Sequence, residues 1–108
     1  MKEKNFLPSN DNYTISLEEI KQLNFFNFIE RLGGEYKKKK SSKYGRLYKW
    51  NNIHLWIRYD YKTGKYFYTS LNSNNDNGTL IDFIQNHIIN ERNLGKVRRY
   101  VIDNFNLF

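Results

Sequence analysis

RLYKWNNIHLWIRYDYKTGKYFYTSL, residues 46–71, decides the fold class. Asn51-Asn52 and Lys62-Thr63-Gly64 are turn formers that cut the stretch into three segments, Arg46–Trp50, Ile53–Tyr59 and Lys65–Leu71. In the middle segment Ile53, Leu55 and Ile57 alternate with His54, Trp56 and Arg58. A strand turns successive side chains to opposite faces, so one row is expected in the core and the other outside. In the last segment Tyr66, Tyr68 and Ser70 stand opposite Phe67, Thr69 and Leu71. These segments predict an antiparallel sheet of three to four strands, with Glu35–Lys40 as a short basic stretch before it.

Helical patterns flank the sheet. Ser16 and Glu19 have the spacing of a capping box, with Ile15 and Ile20 placed as a staple. Ile20, Leu23, Phe25, Phe26, Phe28, Ile29 and Leu32 follow at helical spacing, and Gly33-Gly34 ends the run with a left-handed cap. After the polar loop Asn72–Asn77, a second helix is expected from Gly78 or Thr79, carrying Leu80, Ile81, Phe83, Ile84, His87 and Ile88. A third begins at Asn93 or Leu94, with Leu94, Val97, Val101, Ile102 and Phe105 inward and Lys96, Arg98 and Arg99 outward. The expectation is an α+β domain over 15–108: an N-terminal helix, the sheet, then two C-terminal helices. Residues 1–14 read as a flexible leader, because Pro8–Asn12 are turn formers without apolar periodicity.

Composition narrows the chemistry. With 18 Lys and Arg against 11 Asp and Glu, the net charge is +7, which favours a partner rich in phosphate. No apolar run has membrane-spanning length, and the N-terminus lacks a signal-peptide core, so no membrane partner and a cytoplasmic location are expected. Cysteine is absent, which removes disulfides and thiolate metal sites, and no cofactor or metal is expected. Aromatic residues reach 18%, well above ordinary composition, so the chain does not read as disordered. A chain with one proline, no alanine and abundant asparagine also fits an AT-rich coding bias, which accounts for part of the lysine count.

Two regions are candidates for nucleic-acid contact. The first is the basic strip Lys37, Lys38, Lys39, Lys40, Lys43, Arg46 and Lys49, interleaved with Tyr36, Tyr44, Tyr48 and Trp50. Cations neutralise phosphates and release counterions, and exposed rings stack on bases; the plainer reading is a solvated lysine loop with the tyrosines in the core. The second is the sheet's polar face: His54, Trp56 and Arg58, with Lys65 or Tyr66 and Tyr68 across the turn. Asp76–Phe83 is a third, lesser candidate, in which Gly78-Thr79 more simply caps a helix and Asp82 pairs with a strand cation. His87, on an apolar helical face, reads as a buried, hydrogen-bonded residue. No nucleophile–base pair or carboxylate pair stands out, so binding is expected and catalysis is not.

Lys65–Ser70 followed by a polar loop and Asp-Asn-Gly-Thr-Leu-Ile-Asp-Phe-Ile-Gln, residues 76–85, resembles the zinc-ribbon domain at the N-terminus of bacterial, phage and plasmid primases and related mobile-element proteins. The resemblance runs over residues 15–105, including the Leu94–Arg99 helix. It implies binding of single-stranded DNA through Arg46, Lys49, Trp56, Arg58, Lys65 and Tyr66, in an accessory role in replication or transfer. The family's metal-binding Cys and His residues are missing, so the resemblance implies a metal-free form, with Tyr48, Trp50, Trp56, Phe67 and Tyr68 packing in place of zinc. An alternative reading is a protein-interaction module, an inhibitor or adaptor that seats a replication or mobile-element protein on the aromatic sheet face.

Overall fold

The computed structural model describes residues 15–105, so the leader expected over 1–14 lies outside the described residues. The fold is α+β, with an antiparallel sheet. In chain order the elements are α1 (Leu17–Gln22), α2 (Phe25–Arg31), β1 (Glu35–Tyr36), a 3₁₀ turn (Lys38–Lys40), β2 (Arg46–Trp50), β3 (Ile53–Asp60), β4 (Lys65–Ser70), β5 (Asn77–Gly78), α3 (Leu80–Phe83) running on as a π-helical turn (Ile84–Ile88), and α4 (Leu94–Phe105). The sheet is a five-stranded meander in the order β1-β2-β3-β4-β5. Two strands more than the three evident segments arise because β1 and β5 are only two residues each, too short to show alternation.

The N-terminal helix is in fact two. Ser16 and Glu19 close the expected capping box, at 3.0 Å and 2.8 Å. Leu23 then turns extended (φ −65°, ψ 148°), and the Asn24 side chain accepts a hydrogen bond from the Asn27 backbone N–H at 3.1 Å. A short polar side chain competes with helix continuation and favours a new cap, and here it wins over the apolar periodicity. Gly33 ends α2 at φ +92°.

Strand alternation and register assign two faces. Arg46, Tyr48 and Trp50 pair with Ile57, Leu55 and Ile53, and Leu55 and Ile57 pair with Ser70 and Tyr68. This face meets the helices. Tyr48, Trp50, Leu55, Ile57 and Tyr68 share one core with Ile20, Phe25, Phe28, Phe83, Val97 and Val101. Phe83 lies within 5.4 Å of the Phe25, Trp50 and Tyr68 ring centroids, an aromatic centre that stabilises through area and edge-to-face geometry. Leu94, expected inward, is 40% exposed because it occupies the first turn of α4.

Candidate nucleic-acid interface

The opposite face carries Leu47 and Lys49 from β2, His54, Trp56 and Arg58 from β3, and Phe67 and Thr69 from β4. The helices share a core with the other face, so these residues lie outside it, covered only in part by the segment joining β1 to β2. That segment is held by hydrogen bonds. Lys37 N–H donates to the Leu47 carbonyl at 2.8 Å. Ser41 Oγ donates to the Lys37 carbonyl and accepts from Leu47 N–H, both at 2.9 Å. The lysine run is thereby folded into a 3₁₀ turn over β2 and walls a hollow of about 400 Å³ with Tyr36, Leu47, Lys49 and His54. Farther along, Gly45 lies against the Trp56 indole so closely that a Cβ there would stand 2.7 Å from the ring. Arg58 lies over the Phe67 ring at 4.8 Å, a cation–π pair that holds both side chains against the sheet.

Charge is distributed unevenly between the faces. Glu18 takes Lys21 and Lys65, Glu30 takes Arg46, Glu35 takes Lys37, Glu91 takes Lys96 and Asp103 takes Arg99. Glu19 and Asp82 cap helices, Asp60 closes the β3–β4 turn, and Asp76 meets His87 at 2.7 Å. Among the described residues no carboxylate stands within ion-pair distance of Lys38, Lys39, Lys40, Lys49 or Arg58. The outer face and its lysine turn thus hold five described cations without an ion pair, while Glu35, across from Lys49, is taken by Lys37.

The site residues expected from sequence divide accordingly. Lys37, Lys38, Lys39, Lys40, Lys49, Trp56 and Arg58 come together there. Lys65 falls in the same row, opposite Asp60, but its ammonium reaches Glu18 at 3.3 Å. Lys43 sits beyond the hollow, above the Tyr44 ring at 5.2 Å. Arg46, Tyr48, Tyr66 and Tyr68 point to the helix side, a correction forced by strand alternation. Tyr48 and Tyr68 are 0% and 1% exposed, so neither offers a ring to a base. Tyr66 packs edge-on against Phe26 at 5.3 Å. The register from the Tyr61–Gly64 turn pairs Arg58 with Phe67, so Phe67 and not Tyr66 joins Trp56 outside. Trp56 and Phe67 consequently take no part in the aromatic packing expected to replace a metal, which Phe25, Phe28 and Phe83 share with Trp50 and Tyr68 instead.

Hydrogen bonding explains the misplaced residues. Tyr48 OH donates to Glu30 at 2.5 Å and accepts from Arg46 at 3.4 Å. Burial and the Glu30 bond push its phenol up to about 12, while the Tyr48 bond raises the Arg46 guanidinium above its usual value. Tyr68 OH donates to Asp76 at 2.5 Å and accepts from Asn86 at 3.1 Å, and burial, with the Asp76 bond second, pushes its phenol upward too. Asp82, expected to meet a strand cation, accepts from Thr79 N–H at 2.8 Å instead. None of the described helices is long and apolar enough to cross a membrane. Comparison with protein-family models, characterised proteins and solved structures finds no match.

Proposed function

We propose that this chain binds single-stranded nucleic acid, DNA foremost, along the outer face of its sheet, and acts by binding and not by catalysis. The observation that supports this most is the juxtaposition, on a face that the helices leave free and the β1–β2 segment covers in part, of Trp56 and the Arg58–Phe67 pair with the unpaired Lys38, Lys39, Lys40 and Lys49. Rings present π-faces to unstacked bases, while the lysines follow the phosphates. Rigid duplex keeps its bases stacked inside and offers those rings nothing. With the resemblance to primase ribbons, this favours a cytoplasmic accessory role in replicating or transferring a mobile element.

Of the two tryptophans Trp50 is buried in the core, so the emission lost in Trp56→Ala identifies the part that reports on this face. Titration with oligothymidylate is expected to quench it, and Trp56→Ala is expected to weaken binding by roughly 5- to 150-fold, the equivalent of ~1–3 kcal/mol for one stacked base. Trp56→Phe should retain most of the affinity. Unchanged affinity in Trp56→Ala would remove the sheet face from the interface. A partner protein captured on this face with no DNA bound at low salt would favour the interaction-module reading.

A further inference from the structure

At the end of the sheet, around the corner from Trp56, lies a second concavity of about 300 Å³. Its walls include Tyr36, Tyr44 and Tyr61, which are 39%, 72% and 86% exposed. Exposed large apolar side chains scattered singly need no explanation, but a cluster around one hollow marks a binding surface. Tyr61 stands perpendicular to Tyr59 with centroids 4.9 Å apart, and Tyr59 rests on Tyr66 at 4.8 Å. The exposed ring is thus backed by a row of rings reaching to Phe26. Across the hollow, Lys43 lies over Tyr44, and Arg46, 5.1 Å from the Tyr36 ring centroid, is 41% exposed at its side chain.

We propose that this cleft takes one unstacked base of the strand bound on the outer face, between Tyr44 and Tyr61, with the adjoining phosphate on Lys43. The inference rests on the strand-binding reading above and extends it to a specific subsite. Three observations support it. Gly45 lines the cleft and also abuts the Trp56 indole, so the cleft and the outer face adjoin at this residue. Tyr61 and Tyr44 project from separate turns, and both line the cleft. The nearest cations suit a phosphodiester, and the nearby carboxylates are already engaged, Glu30 by Arg46 and Tyr48 and Asp60 by Thr63 and Lys62 N–H. The size lies at the lower end of small-molecule pockets, ~300–1,000 Å³, which fits a single base better than a stacked pair.

The test is an abasic scan. A labelled oligothymidylate is compared with strands carrying one abasic site at each position in turn, using wild-type protein, Tyr44→Ala/Tyr61→Ala and Trp56→Ala. At one position the wild type should lose roughly 5- to 150-fold, and the tyrosine variant should lose as much on the intact strand and be indifferent to that abasic site. Trp56→Ala should keep the penalty at that position. Tyr44→Phe/Tyr61→Phe should behave as wild type. Both tyrosines are largely exposed, so their removal is expected to leave the thermal midpoint unchanged. A tyrosine variant that binds every strand as the wild type does would overturn the subsite while leaving the outer-face reading intact. Failure of the wild type to bind oligothymidylate at low salt would overturn both.

Discussion

Tyr48 and Tyr68 are the residues where strand chemistry and core packing meet most tightly. Each ring is buried on the helix side of the sheet, and each hydroxyl donates to a carboxylate, Glu30 on α2 and Asp76 in the β4–β5 loop. Burial and the Glu30 bond hold the Tyr48 phenol neutral up to about 12, whereas in the unfolded chain it ionises near its ordinary value, about 10. Between those values the unfolded chain has already released a proton that the folded chain keeps, so this contribution is complete below about pH 10 and fades toward pH 12. Tyr68 adds in the same direction. Tyr48→Phe is expected to flatten the fall of the thermal midpoint with alkaline pH, at a neutral-pH cost of about 1 kcal/mol for the lost hydrogen bond. An alkaline profile identical to wild type would contradict this account of Tyr48. The same two residues show where sequence reading stops at this scale. An aromatic beside cations on a strand looks like a nucleic-acid contact, and only the register, with the carboxylates across from each hydroxyl, places these rings inward. Trp56 was legible, because Leu55 and Ile57 fix its neighbours as core.

Among the elements, the two hairpins are the part most plainly written in the chain. Asn51 and Asn52 adopt φ 48° and 64°, the left-handed pair that a two-residue turn requires and that asparagine tolerates. In the second turn the Asp60 side chain takes hydrogen bonds from Thr63 Oγ1 at 2.7 Å and Lys62 N–H at 3.2 Å. The α1–α2 break was not legible, because helical periodicity continues through Leu23 and Phe26 and one asparagine decides otherwise. Asn24→Ala removes that cap and is expected to cost ~0.5–2 kcal/mol in chemical denaturation, the usual range for an N-cap. No loss of stability would mean that packing of Phe25 and Phe28 alone sets the helix boundary. The short edges β1 and β5 escaped notice for a different reason: two residues cannot display a period, and they pair only because the meander brings them beside β2 and β4. The lysine run shares this non-local origin, since its 3₁₀ turn is fastened by Ser41 and by the backbone of Leu47 in β2.

At the scale of the whole molecule, composition gave the sign of the field but not its place. The +7 surplus could have been spread evenly. Instead no described carboxylate stands within ion-pair distance of Lys38–Lys40, Lys49 or Arg58, and Glu35, across from Lys49, is taken by Lys37, so unpaired cations gather beside the half-buried rings of Trp56 and Phe67. An AT-rich coding bias explains a lysine count, but not this grouping of unpaired cations on one face. Strand binding driven by such a surface has a salt dependence set by the number of phosphates neutralised, a slope of about 0.7 per contact on single strands. The most direct measurement is fluorescence anisotropy with labelled single-stranded and duplex DNA over a range of salt concentrations, for the wild type and Lys38→Glu/Lys40→Glu/Lys49→Glu. The wild type should prefer the single strand with a steep salt slope, and the variant should bind weakly with the slope reduced by roughly two. Equal affinity of variant and wild type, or a wild type that binds neither DNA at low salt, would contradict a nucleic-acid interface on the outer face of the sheet.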